Sequence, residues 1–175
     1  ADKPPLGLCG SGPVVAAAPM CRNVTINRPG ALDRGHPLVE STPSGADPRF
    51  VLARADESNR GRKLSLGQKD IAAIQLAKAA VGAGTSALLA AAGITSAQIE
   101  RVVIAGAFGT HLNLESAIDI GLLPRLSLQR FSQVGNAAGT GARMVLVSET
   151  QRKRAETLGR RIQYIELGGN PNFQG

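Results

Sequence analysis

The segment 101–124, RVVIAGAFGTHLNLESAIDIGLLP, constrains this chain more than any other. Val102, Val103 and Ile104 form a β-branched run that reads as a buried strand. The run passes straight into Ala105-Gly106-Ala107-Phe108-Gly109, and a helix is predicted to start near Asn113. A strand that ends in glycines and hands over to a helix is a frequent place to hold a phosphate or nucleotide. The glycines admit a ligand to the backbone, and the helix N-terminus offers free N–H groups and partial positive charge. Such turns also arise for packing alone, so this one needs company before it speaks to function.

The remainder supplies helices alternating with strands, which predicts an α/β architecture. Residues 6–12, LGLCGSG, form a second Gly-rich turn. A helix over 13–20 is opened by Pro13 and ended by Pro19. The stretch 23–48 is rich in Pro, Gly, Asn and Asp, and 13–49 as a whole reads as an irregular, insertion-like segment. Segments 50–54 and 63–66 predict a hairpin around the polar turn DESNRG. From Asp70 to Ala92, Ile71, Ile74, Lys78, Val81, Thr85 and Leu88 recur at helical steps, and Gly93 stops the helix. Gly82 and Gly84 inside it point to close packing or to approach of a ligand. Thr95-Ser96-Ala97-Gln98 carries a capping-box pattern. Further on, 131–134 reads as a strand and Gly135-Asn136-Ala137-Ala138-Gly139 as a third Gly-rich turn. One helix is then expected to about Arg160, a last strand over 161–167, and a frayed or severed tail, GGNPNFQG.

Composition narrows the classes. A chain of 175 residues with 43% hydrophobic content suits one domain with a core, or two small lobes. No apolar run approaches the ~20 residues of a membrane span, and 14–20 is short, holds Pro19 and lacks a basic leader. The expectation is a cytoplasmic protein without a membrane partner. The net charge of +7 invites nucleic acid, but 3% aromatics leave a stacking platform poorly supplied. Arg152, Lys153, Arg154, Arg160 and Arg161 gather in the last stretch of the expected helix, where cations meet the helix dipole. A solvated helix face, and no nucleic-acid partner, is the expectation. Cys9 and Cys21 have no metal-ligand spacing with any His; pairing with each other is open to them, and free, buried thiols are the expectation in a chain without export signals. The chain starts at Ala1 rather than Met, and the expectation is a domain of a longer protein.

Several motifs now fall in one order: LGLCGSG at 6–12, GQKDIAAIQLAKAAVGAG at 67–84, VVIAGAFGTHLNLESAIDIGLLP at 102–124, VGNAAGTGARMVLVS at 134–148 and YIEL at 164–167. This series resembles the C-terminal domain of the ATP-dependent reductive activators of corrinoid proteins. These belong to the ATPase superfamily of acetate and sugar kinases, heat-shock chaperones and actin (ASKHA). The resemblance covers nearly the whole chain. It implies an α/β, ribonuclease H-like ATPase lobe with a mixed sheet flanked by helices, residues 1–175 being the later part of that domain. It implies a full-length protein with an N-terminal ferredoxin-like domain that carries an iron–sulfur cluster. Such a protein uses ATP with Mg²⁺ to drive uphill electron transfer, returning Co(II) corrinoid to the Co(I) state needed for methyl transfer. A corrinoid protein is the implied partner, and a homodimer is possible.

Carried over residue by residue, the resemblance gives the adenosine motif to Gly106, Ala107, Phe108 and Gly109. Gly10, Ser11 and Gly12 match a turn near the second phosphate region, where backbone N–H groups and the Ser11 hydroxyl meet phosphate oxygens. Gln68, Lys69 and Asp70 match the start of the long helix, whose side chains reach the nucleotide cleft. Gly135 and Asn136 match a later turn, expected to pack against the adenosine turn. Two positions depart from the family pattern. Ala107 stands where a second Gly is usual, which is tolerable at negative φ, and Pro13-Val14-Val15-Ala16 lacks the usual acid.

Each residue also has a local explanation. Asp70 suits a helix-start carboxylate, Lys69 a solvated side chain, Asn136 an N-cap and Phe108 a core plug. His111 lacks a carboxylate partner and reads as structural. No Asp-x-Gly-Thr-type turn and no cysteine quartet is present, and two cysteines cannot hold an iron–sulfur cluster. The isolated chain is therefore expected to be neither a competent ATPase nor an electron carrier, and no catalytic residue or metal ligand is assigned. The competing readings are a dehydratase activator or kinase on the same fold, and a non-catalytic scaffold or partner-binding domain. Ala107 and the missing acid favour the last.

Overall fold

A computed structural model describes residues 3–41, 45 and 47–168. The chain separates into two compact units. The first comprises the residues up to Gly82 together with Asn113–Arg125, and the second comprises Ala83–Leu112 and the residues from Leu126 onward.

In the first unit, α1 spans Gly12–Arg22 with Pro13 in its first turn. Pro19 sits inside this helix and does not end it, contrary to the sequence expectation. The carbonyl that loses its donor to Pro19 is that of Val15, a residue on the exposed side of the helix. Val14, Ala17, Ala18 and Met20 are buried on the other side, where α1 packs against α4, Leu114–Asp119. The first part of the expected irregular segment is therefore helical. Beyond it, Ile26 and Leu32 form an isolated antiparallel bridge. Strands β1 (Val39–Glu40), β2 (Arg49–Ala53) and β3 (Leu64–Gly67) follow as an antiparallel sheet in the order β1-β2-β3. The expected hairpin is β2–β3, and β1 is too short to leave a sequence signal. Ile26, Leu32, Val51, Leu66 and Ile71 are buried hydrophobic residues of this unit.

Helix α2 runs Gln68–Ala92 and contributes to both units. Ile71 is its buried residue, while Leu76 and Leu88 stay exposed. Its 25 residues reach a mean hydropathy of 1.3 over an 18-residue window, long and apolar enough for a membrane span by those two measures alone. That corrects the expectation that no apolar stretch comes near such a length. The alanines supply much of the apolarity, and Lys78 lies mid-helix.

In the second unit a short 3-10 turn, Ser96–Gln98, has the expected capping box, with the Thr95 amide donating to Gln98 Oε1 at 2.9 Å. Strands β4 (Val102–Ala105) and β5 (Phe131–Gly135) pair in parallel. The one helix expected after β5 is two, α5 (Ala137–Val147) and α6 (Glu149–Gly159). Ser148 is extended between them, and its side chain accepts from the Gln151 amide at 3.3 Å, so it opens a new helix. Arg152, Lys153 and Arg154 thus lie in the first half of α6 and not in a last turn, with Lys153 paired to Glu149 at 2.8 Å. No strand forms over 161–167. Ile162 and Tyr164 are exposed. Beyond Gly168 the tail lies outside the described residues. Among the described residues of this unit, Leu112 and Phe131 are the buried hydrophobic side chains, and α5 and α6 add none. Cys9 and Cys21 are free as expected, but both are exposed.

Candidate functional site

Strand β4 delivers the chain to Gly106 at φ +95° and ψ 164°, a region open essentially to glycine alone. A Cβ built there meets no atom within 4 Å. Backbone conformation demands glycine at this position, and the space beside it stays open. Ala107–Thr110 then form α3, a single helical turn. Ala107 accordingly has helical backbone, where its methyl group is tolerated. Phe108 is 50% exposed, so it does not plug the core. Gly109 is buried, and a Cβ on it would lie 2.5 Å from Ile104 Cγ2. The two glycines of the motif therefore differ in kind: Gly106 borders open space and Gly109 packs on β4.

Strand β5 brings the third Gly-rich turn to the first. The parallel register runs Ile104 to Gln133 and then Ala105 to Gly135, which leaves Val134 as a bulge. The bulge presents the Gly135 carbonyl to the Gly106 amide at 2.6 Å. Thr110 Oγ1 donates to the Gly106 carbonyl at 3.2 Å. Asn136 caps α5, its Oδ1 accepting from the Gly139 amide at 2.9 Å. Sequence reasoning missed Gln133. Its side-chain amide donates to the carbonyls of Gly109 and Leu112, the latter at 2.8 Å.

The remaining candidates fall in the first unit. Gly10 is exposed and Gly12 starts α1. Ser11 is buried, its Oγ 3.4 Å from Cys9 Sγ, and its carbonyl accepts from the Val14 and Val15 amides. The hydroxyl expected to meet phosphate therefore faces the Cys9 thiol. That contact, followed by the Gly12 and Ser11 N–H groups, holds the Cys9 thiol below its ordinary pKa. Cys21 is exposed as a residue, but its thiol is partly shielded by its surroundings, which pushes its pKa up, opposed by the charge of Lys78. Gln68 is engaged at both ends of its amide. Its Oε1 accepts from the Leu32 amide at 2.9 Å, and its Nε2 donates to the Gly30 carbonyl at 2.7 Å. Asp70 accepts from the Gly67 amide at 2.8 Å and lies 3.9 Å from the Arg49 guanidinium. Lys69 is exposed. Among the described residues, no three of His, Cys, Asp and Glu converge as a metal site.

Residues 1–175 match the family described as "C-terminal domain of RACo the ASKHA domain". The chain belongs to this family. It is similar to the corrinoid activation enzyme RamQ of Eubacterium limosum, 36% identical over 178 residues that make up 97% of this chain and 30% of RamQ. It is also similar to a solved structure described as a reductive activator for corrinoid, iron–sulfur protein. That match has a TM-score of 0.85 at 37% identity and covers 98% of this chain and 27% of the other. The chain thus spans less than a third of the length of these relatives. It has the α/β fold of an ASKHA domain, with sheets flanked by helices, and ASKHA membership implies nucleotide binding.

Proposed function

We propose that this chain forms the adenosine-holding part of an ATP-dependent reductive activator, which returns Co(II) corrinoid protein to Co(I) for methyl transfer. The observation that carries the reading is the open backbone at Gly106 beside the half-exposed ring of Phe108. An adenosine needs a backbone it can approach closely and an apolar face for its base, and this turn supplies both. The names of the two relatives, each concerned with corrinoid activation, support the substrate class. The alanine at 107 is no objection, because its backbone is helical.

In this reading Gly106, Ala107, Phe108 and Gly109 hold the base and ribose. Gly135 and Asn136 brace them. In the first unit, the Gly12 amide donates to the Cys9 carbonyl at 3.0 Å and the Ser11 hydroxyl faces the Cys9 thiol, so that turn has no part in this reading. Gln68 and Asp70 shape the start of α2 through the bonds described above, and Lys69 is the cation at that helix end. ATP, when bound, supplies the free energy for uphill electron transfer. The described residues present no acidic cluster for Mg²⁺. The cation, and the iron–sulfur cluster that supplies electrons, belong in this reading to parts of the relatives' longer chain. A protein-bound corrinoid is the partner.

Calorimetric titration of the natural protein with ATP and Mg²⁺, beside its Gly106→Val variant, tests the reading. Saturable binding that the variant loses is expected. Equal binding by both proteins, or none by either, overturns it.

A further inference from the structure

The single helical turn α3 is too short to hold its own shape, because one turn gains few hydrogen bonds for the residues it fixes. At its C-terminal end the Phe108 carbonyl accepts from the His111 amide at 3.2 Å, and the Gly109 carbonyl from the Leu112 amide only at 3.4 Å. Both ends of the turn are braced further from β5. Gly135 takes the Gly106 amide at the start of the turn, and Gln133, two residues earlier on the same strand, reaches its end. The amide nitrogen of Gln133 has two hydrogens and uses them on two carbonyls, Gly109 and Leu112. Gln133 also pairs across the ladder with Ile104, the side chain on which Gly109 packs. Gly109 is therefore fixed from one rung of the sheet, by contact at its Cα and by a hydrogen bond at its carbonyl.

We propose that Gln133 is a positioning residue for the nucleotide: it sets the orientation of the Gly106–Gly109 turn without touching the ligand. The inference rests on the reading of that turn as an adenosine site. Losing the clamp weakens nucleotide binding in ground state and transition state alike, so affinity changes and turnover at saturation does not. The role belongs to the donor hydrogens, not to side-chain bulk.

The test compares Gln133→Leu, Gln133→Lys and Gln133→Glu in the natural protein. The readouts are ATP·Mg²⁺ affinity, turnover at saturation and the unfolding midpoint. Leucine, which cannot donate, is expected to raise Kd by about tenfold with turnover within about twofold. Lysine keeps donors at similar reach and is expected to stay close to the parent. Glutamate is nearly isosteric but presents a carboxylate to two carbonyl oxygens. It is expected to bind like leucine at about pH 8 and to recover as pH falls toward about 5.5, where the protonated acid donates. Leucine and lysine variants that lose affinity equally, or a folded leucine variant with parental affinity, overturn the proposal. If Gly106→Val binds as the parent does, or the parent does not bind, the underlying nucleotide reading falls instead. Loss in Gly106→Val with parental affinity in Gln133→Leu removes only the role of Gln133.

Discussion

The amide of Gly106 donates to the carbonyl of Gly135 over 2.6 Å, joining two turns 29 positions apart in sequence through a bulge in β5. Both residues have positive φ, +95° and +60°, but they are not equivalent. Gly135 has a φ that L-residues enter at a cost of about 1–2 kcal/mol, whereas Gly106 lies where only glycine is at ease. Gly135→Ala is therefore expected to lose about 1 kcal/mol. Gly106→Ala is expected to lose about 2–3 kcal/mol. Nothing stands within 4 Å of a Cβ at Gly106, so that loss is backbone strain and not a clash. Urea unfolding of the two variants measures the difference, and equal losses would contradict this distinction.

Gly109 fails for another reason. A methyl group there would lie 2.5 Å from Ile104 Cγ2, inside any normal contact. Gly109→Ala is expected to lose about 1–3 kcal/mol by overpacking. Ile104→Ala removes the opposing methyl, so the double variant should lose less than the sum of the single losses. A double-mutant cycle by denaturant unfolding reads the coupling. Simple additivity would mean that Gly109 is not there for packing.

Much of this arrangement is legible in sequence because its signals are local. The β-branched run before Gly106, the apolar period of α2 and the Asn113 and Asn136 caps each announce their element within a few residues. The failures are non-local. Pro19 stays in α1 because buried neighbours outweigh one lost bond, and the alternation of 161–167 does not produce a strand, because alternation alone does not supply the pairing. The site divides the same way. Gly106 and Gly135 are visible as glycines at turns. The bonds of Gln68 reach 36 residues to Leu32, and those of Gln133 reach 24 residues to Gly109, leaving no trace in local pattern. Ser11 looks like a phosphate donor in its motif, yet burial turns its hydroxyl toward Cys9.

Gln68 is expected to report on stability and not on ligand. Its amide clips Gly30 and Leu32 to the start of α2. Gln68→Leu removes two hydrogen bonds and is expected to lose about 1–3 kcal/mol in unfolding. Nucleotide affinity of the folded variant should be unchanged. A loss of affinity with parental stability would return Gln68 to the ligand-contacting set.

The two cysteines should separate by reactivity. Ser11 Oγ and the Gly12 and Ser11 N–H groups favour the Cys9 thiolate, while burial disfavours that of Cys21. A lowered pKa raises the thiolate fraction at a given pH, and the thiolate is the nucleophile. Cys9 is expected to be alkylated first near neutral pH, with the midpoint of its rate against pH below that of Cys21. Ser11→Ala removes the largest cause and should move the Cys9 midpoint upward. Peptide mass mapping after brief iodoacetamide treatment across a pH series tests both statements. Faster modification of Cys21 would contradict them.

Val24 carries strain that can be removed. It lies just past the end of α1 at φ +58°, where a β-branched side chain is a clear outlier, and it is 67% exposed. The position is fixed by its surroundings. The Val24 amide donates to Cys21 and the Ile26 amide to Met20, so the chain must turn through the left-handed region to bury Ile26. Little packing is lost when an exposed valine is shortened, so the backbone term decides the sign. Glycine relieves the Cβ clash but widens the unfolded ensemble, and the relief is the larger effect. Val24→Gly is expected to gain about 0.5–1 kcal/mol, and Val24→Asn a similar amount, since asparagine tolerates this region. Val24→Ile keeps the strain and serves as the control. A thermal-unfolding series should rank glycine and asparagine above valine and isoleucine. A drop in midpoint for both replacements would mean that the valine side chain makes a stabilising contact that outweighs its strain.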